Sequence, residues 1–478
     1  MSERRKFFSN SFSMLVNRLV QAAGTFVLTA AIVRMLGAEA LGQYLLAASY
    51  YLIFVNMASQ GLRTLFTREL SRNLEETPVY LVSGTVLQLA FSTVAYLALV
   101  IVVWLLPYSP ETSTLCYIFG LTIIPFSLSN ITEAIFQAQE RMHLIATSAV
   151  PVYILRLIFM IWLMQSNQGV QALAETMIVS ETVILVIQWL LLLRTVKPIW
   201  RVDTKFIGQI VTTIKTFFAI EATGIFAAKM DILILSLLGS ELLIGVYSGM
   251  TQLTQPYVII VNSLGLAAFP SMTKAVEKGR EQQRRTTEDF IEFLLFMAIP
   301  IWIGIFFWGE DLLAFIYHDP NFNDVGLIFW ISSFTILLLP FIRILGYVLI
   351  ANGFERFNLF EVITTTVVGG LAGIVLITRY QLLGAALMGI VVSLSAYSLL
   401  TWAVCTRVFL LRFWKVLGRP LLIGGLMIPV FLMLKATHLY FLEVLTISAA
   451  VYCLLMGCLS IYMLGGPRLA LEKLLKRT

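Results

Sequence analysis

LGAEALGQY, from Leu36 to Tyr44, and LGSELLIGVY, from Leu238 to Tyr247, are one turn written twice. Both give Leu-Gly-small-Glu and then Gly-x-Tyr, with one residue inserted in the second copy. The residues before them also match: Gln21-x-x-Gly24-x-Phe26 stands against Glu221-x-x-Gly224-x-Phe226. A second pair follows in the same order. Ala138–Leu144 contains Glu140-Arg141, and Asn352–Leu359 contains Glu355-Arg356. Each anchor recurs six apolar stretches later. Six is even, so both copies enter a bilayer in the same sense, as in a parallel repeat about an axis along the membrane normal.

Outward from these turns, apolar stretches run almost end to end. Hydrophobic residues make up 59% of 478 and charged residues 13%, with a mean hydropathy of +0.88. About 20 apolar residues cross a bilayer as a helix. About fourteen such stretches are legible: 11–36, 41–62, 79–106, 115–137, 144–165, 170–193, 216–238, 243–269, 291–316, 325–351, 359–378, 382–408, 416–433 and 441–464. The sequence thus predicts an all-α polytopic membrane protein: two parallel six-helix repeats followed by two further C-terminal helices. The long polar segments are Arg63–Thr77, Arg194–Lys215, Lys274–Asp289 and the tail from Gly465. They divide the chain into a first lobe at 1–195, a basic linker at 196–215, a second lobe at 216–411 and two extra helices with a tail at 412–478. The first apolar run is too long for a cleaved signal.

Lys and Arg orient the chain. With the amino terminus cytoplasmic, 26 of 33 fall on inner segments, whereas Pro107–Ser113 and His318–Asp324 contain none. This asymmetry places both termini on the cytoplasmic side. The net charge of +6 is then membrane topology, and Lys274–Arg285 is an anchor beside anionic lipid. No interleaved aromatics of the base-stacking kind accompany it, so nucleic acid is not an expected partner. The sequence holds no GxxxxGK[ST] and no CxxC. Cys116, Cys405, Cys453 and Cys458 read as packing residues, and His143, His318 and His438 are scattered. No cofactor, metal ligand set or catalytic residue is expected.

The chemistry lies in polar residues at membrane depth, where a charge is costly unless it faces a cavity or a partner. Ser13, Asn17, Arg18, Gln21, Gly24, Thr25 and Thr29 fall within about 160° of one helix face at ~100° per residue. Glu221, Lys229 and Asp231 share the seventh stretch; Lys229 and Asp231 are two apart and answer to different neighbours. Arg156 lies in the fifth stretch and Arg343 in the tenth, beside Pro340 and Gly346. Glu133 in the fourth, Glu181 in the sixth, and Gln252 and Gln255 in the eighth complete the set. Four bases face four acids, so the expected site is not cationic by simple count. Arg18, Arg156, Lys229 and Arg343 are the candidates for holding an anionic headgroup. Asn17, Gln21, Gln252 and Gln255 are expected to line the cavity with polar groups. Glu221, Asp231 and Glu133 are candidates for ion coupling. The competing reading has each base locked in an ion pair.

Asp231-x-x-Ile234-Leu235-x-x-Leu238-Gly239 with Ile244-Gly245-x-Tyr247 resembles the seventh and eighth spans of bacterial polysaccharide flippases. Arg34-Met-Leu-Gly37-Ala-Glu39 with Gly42-x-Tyr44 resembles that family's opening, and so does the Glu-Arg turn after the fourth stretch. The family belongs to the multidrug/oligosaccharidyl-lipid/polysaccharide exporter superfamily. The resemblance implies two six-helix lobes around a central cavity open to each side in turn. It also implies a lipid-linked oligosaccharide as cargo, flipped across the bacterial inner membrane for polysaccharide biosynthesis. Membrane lipids, a glycan polymerase and glycosyltransferases are the partners it suggests. An ion-coupled exporter of small drugs is the alternative within the superfamily. A glycan ligase or polymerase would need large external loops, and those expected here are short, so a transporter and not an enzyme is expected.

Overall fold

The computed structural model describes residues 3–200, 202–437 and 439–463; side chains at 3–16, 18, 19, 60, 205, 206, 209, 213–223 and 459–463 lie outside that description. The described residues form helices joined by turns and short connections, without strands. They form two compact units, residues 1–249 with 373–385, and residues 250–372 with 386–478.

The first unit opens with α1 (Glu3–Leu36) and α2 (Ala38–Arg72), separated by Gly37 at φ 91. α3 (Thr77–Leu105), α4 (Pro110–Leu121), α5 (Ile123–Ala138), α6 (His143–Gln165), α7 (Val170–Leu193) and α8 (Thr204–Leu238) follow, with the first residues of α9 (Glu241–Glu277). α4 starts at a signal plain in the sequence: Ser109 Oγ accepts from Thr112 N, and Pro110 occupies the first turn, where no backbone donor is needed. α2 is the spine, packing on α8, α5 and α3. Its residues Leu62, Leu65, Phe66 and Leu70 share one face and are at most 1% exposed, joined in one core with Tyr80, Ile131, Ile135 and Phe136.

The second unit holds the rest of α9, then α10 (Arg280–Tyr317), α11 (Gly326–Ser333), α12 (Thr335–Ala351), α14 (Phe413–Lys435) and α15 (Phe441–Met463). α10 is its hub. Ile291, Leu294, Leu295 and Ala298 form a core with Ile336, Phe341, Ile344 and Val348 of α12 and Val416 of α14. α10 and α14 are also tied by charge. Glu288, with 1% of its side chain exposed, lies 3.3 Å from Lys415 Nζ and accepts the Arg412 N–H at 3.1 Å. Glu292 lies 3.4 Å from Arg419. Arg412, Lys415 and Arg419, basic residues at the start of α14, thus serve as partners for buried acids.

α13 (Arg356–Arg407) is 52 residues, about 78 Å as one helix. That exceeds a hydrocarbon core of about 30 Å. It is two helices joined at Gln381, which has φ 48 and ψ −116, at the break expected between stretches eleven and twelve. Eleven helices among the described residues are long and apolar enough to cross a bilayer. Their order along the chain is that of the expected apolar stretches. The ends differ. α2 continues through Arg63 to Arg72, α8 begins at Thr204 inside the expected 196–215 linker, and α9 and α10 reach Glu277 and Arg280. Helices outrun the hydrocarbon because an amphipathic face goes on burying apolar residues where the opposite face meets water.

Large apolar side chains stand exposed on the helices: Trp104 is 74% exposed, Leu155 65%, Leu371 65% and Leu454 68%. A surface of this composition has lipid as its solvent.

Candidate functional site

In the first unit a chain of polar side chains crosses four helices. Arg63 of α2 lies 2.8 Å from Glu133 of α5, and its second nitrogen donates to Asn130 Oδ1 at 3.1 Å. Asn130 donates onward to Ser59 Oγ at 2.9 Å. Gln188 of α7 donates to Glu133 Oε1 and to Ser148 Oγ of α6, both at 3.3 Å, and accepts from Thr132 Oγ1 at 2.5 Å. Asn130, Ser59, Thr132 and Gln188 are at most 1% exposed. A buried polar network is tolerable because its members satisfy one another.

Arg156 of α6 has a different environment. Its guanidinium lies 2.8 Å from Glu181 Oε1 of α7 and donates to Ser180 Oγ at 3.3 Å. Its Cζ stands 4.7 Å from the centroid of the Tyr153 ring, within cation–π range. Gln21 of α1 hydrogen-bonds the Tyr153 side chain, and the Arg156 charge also acts on Tyr44 and Tyr51 of α2. So Gln21, Arg156 and Glu181 come together among three tyrosines. Asn17 is 9% exposed, and its Oδ1 has no hydrogen-bond partner among the described residues. The side chains of Arg18 and Glu221, two of the expected site residues, lie outside the described residues.

In α8, Asp231 accepts the Ile232 N–H at 2.8 Å and the Tyr247 hydroxyl of α9. Lys229, half-buried, forms no ion pair among the described residues, although its charge acts on Asp231. In the second unit, Gln252 is half-buried and Gln255 exposed on α9. Arg343 of α12 is exposed and acts electrostatically on Glu361 of α13.

The two matched turns lie against each other. A Cβ on Gly42 would overlap the carbonyl of Glu241 and stand 3.0 Å from Gly245 N; a Cβ on Gly245 would overlap the carbonyl of Ala38 and stand 3.0 Å from Gly42 N. Only glycine permits so close a backbone approach. Glu241 fastens it: Oε2 accepts from Gln43 Nε2 at 2.7 Å, and Oε1 accepts from Thr112 Oγ1 and, at 3.4 Å, from Ser109 Oγ. Tyr108 bonds Tyr50 at 2.8 Å and Ser236 at 2.7 Å beside it.

Sequence reading missed Gln188, Arg63 and Glu241 as site members. Gln188 had a signal, being a lone amide in the run Val183–Leu193. Arg63 opens the polar segment Arg63–Thr77, which by composition lies outside the apolar stretches. Glu241 lay inside the repeated motif but was read as part of a turn only.

The fold is similar to that of lipid II flippase MurJ in an inward closed conformation, with a TM-score of 0.76, 15% identity, and coverage of 95% of this chain and 98% of that one. It is similar to an inward-facing multidrug resistance MATE family transporter of the MOP superfamily, with a TM-score of 0.65, 15% identity, and 80% and 94% coverage. A MOP superfamily transporter from Pyrococcus furiosus has a TM-score of 0.58 at 12% identity, with 89% and 96% coverage. No curated protein matches the chain by sequence. Residues 31–325 match the family described as polysaccharide biosynthesis protein, well over half of the chain. With that match the chain belongs to the polysaccharide biosynthesis protein family, and its fold is one shared with MurJ and MATE transporters.

Proposed function

We propose that this membrane transporter flips a lipid-linked oligosaccharide across the bacterial inner membrane by alternating access, with both termini cytoplasmic. The observation that carries the reading is the set of polar groups at depth on a polysaccharide-family fold, above all Arg156 among Gln21, Tyr44, Tyr51 and Tyr153. A polyprenyl-pyrophosphate sugar has an anionic, hydroxyl-rich head and a tail content in lipid. Its head needs a guanidinium or ammonium for phosphate, and amides and aromatic rings for sugar. Arg18, Arg156, Lys229 and Arg343 are the proposed headgroup contacts. Asn17, Gln21, Gln252 and Gln255 supply hydrogen bonds, and Glu221, Asp231 and Glu133, the last of which must exchange its pairing with Arg63, are the proposed acids for coupling to an ion. Arg156 exchanges part of its bond with Glu181 for the cargo phosphate.

In this reading residues 1–195 and 216–411 are the repeated lobes, and the Gly42–Gly245 crossing with Glu241 is the periplasmic closure. Rupture of the Gln43, Thr112 and Ser109 bonds to Glu241 accompanies opening to that side. The working surroundings are the glycosyltransferases that build the cargo and the polymerase that consumes it.

Deletion of the gene tests the reading. The expected result is accumulation of lipid-linked oligosaccharide on the inner leaflet, relieved by the wild-type gene. Unchanged glycan export together with lost efflux of small cations would instead support the ion-coupled drug exporter, which the carboxylates at depth would also suit.

A further inference from the structure

The end of the second unit where α10 finishes and α11 begins holds a cavity of about 460 Å³, separate from every residue considered above. Glu310, Asp311 and Phe306 of α10, Asn323 of the following turn, Trp330 of α11 and Lys435, the last residue of α14, line it. Its size is that of a small-ligand pocket, which runs from about 300 to 1,000 Å³. We infer that this cavity binds sugar residues of the transported glycan, a carbohydrate subsite on the side to which the cargo is delivered. The inference rests on the reading of a glycan as cargo.

The chemistry of the lining supports a polyol. Glu310, Asp311 and Lys435 belong to no ion pair among the described residues, so two carboxylates and an ammonium stand without a charged partner. Carboxylates accept from hydroxyls, whereas the ammonium and the Asn323 amide donate to hydroxyl and ring oxygens. Sugar rings present both functions on adjacent carbons, together with an apolar C–H face. Rings suited to that face are at hand. Trp330 stacks on Trp302 at 4.9 Å and meets Phe306 at 4.9 Å and 60°, and Phe306 is 52% exposed. The wall is firmly placed, because a Cβ on Gly326 would stand 2.9 Å from Glu310 Cβ: α11 starts directly on that side chain. One excess negative charge disfavours a polyanion. A zwitterionic phospholipid headgroup would engage the charges but leave the Asn323 amide and the ring cluster unused.

The probe is the oligosaccharide released by mild acid from the lipid carrier that accumulates in the deletion strain. It is titrated calorimetrically into the full-length protein in detergent. Saturable binding is expected, weakened about tenfold by Glu310→Gln and again by Asp311→Asn, each removing one charge-assisted acceptor. Glu443→Gln, at an exposed acid on α15, should leave binding unchanged. The melting temperature of each variant shows that it is folded. No saturable binding, or equal binding by wild type and both α10 variants, overturns the subsite. So does native mass spectrometry in which Glu310→Gln loses bound phosphatidylethanolamine while sugar binding is intact. A deletion strain that accumulates no lipid-linked glycan defeats the cargo reading first, an outcome distinct from failure of the subsite.

Discussion

Gly42 of α2 and Gly245 of α9 cross with each glycine's missing Cβ aimed at the other helix's backbone, four residues before its partner glycine. The arrangement is reciprocal. Gly42 meets the carbonyl of Glu241, and Gly245 meets the carbonyl of Ala38. The two copies of a repeated sequence motif are thus the two sides of one contact.

This contact predicts unequal effects of glycine replacement. Gly42→Ala and Gly245→Ala should each destabilise by about 1–3 kcal/mol, the cost of overpacking a close contact. Gly24→Ala, where nothing lies within 4 Å of a new Cβ, should be neutral or slightly stabilising, since alanine is the better helix former. Melting temperatures of the purified variants in detergent measure the difference. Equal shifts at all three positions would contradict the crossing.

The Arg63–Glu133 pair should matter to abundance more than the Arg68–Glu69 pair. Side chains of the first are 20% and 15% exposed, and those of the second 47% and 30%. An exposed pair contributes about 0–1 kcal/mol, whereas removing one partner of a buried pair strands a charge. Arg63→Ala should reduce the protein recovered in membranes severalfold, with Arg68→Ala close to wild type. Similar recovery of the two would place Glu133 in water.

Arg156 separates headgroup binding from a static ion pair. Neutralising a phosphate contact should weaken cargo binding by roughly 1.5–3 kcal/mol, or about ten- to a hundredfold. Arg156→Ala should therefore lower export per unit of protein, and Arg156→Lys should restore it only in part, since a point charge does not replace a planar fork. Lys229→Ala should act likewise. Export that declines only in step with protein level would make Arg156 a structural partner of Glu181 and nothing more.

The topology predicts a labelling pattern. In a background lacking Cys116, Cys405, Cys453 and Cys458, cysteines at Ser109 and Asn321 should react with an impermeant maleimide from outside. A cysteine at Gln282 should react only after lysis. All three positions are exposed, so access and not burial decides the result. Labelling of Gln282 in intact cells would invert the assignment.

Coupling by an acid is tested at Glu221. Glu221→Gln should reduce transport and flatten its dependence on external pH, because a neutral amide cannot carry a proton between sides. A wild-type pH profile in that variant would remove Glu221 from the coupling set.

The helices, their order and their breaks were set by the sequence, because hydrocarbon forces each backbone segment to satisfy its own hydrogen bonds. Apolar length then reads directly as a helical passage, and Gln381 broke α13 where the pattern demanded. Element ends were less legible, since α2 and α8 extend on amphipathic faces that no longer look membrane-like. Partners were legible only as residue types. Four acids and four bases at depth could be counted, but nothing in their spacing linked Arg156 to Glu181, Arg63 to Glu133, or Lys415 to Glu288 across 127 positions. Helix periodicity gives the face of one helix and says nothing about which neighbour meets it. Packing alone made that choice: it drew a residue from a polar segment into an ion pair, and set one copy of a repeated turn against the other through two glycines.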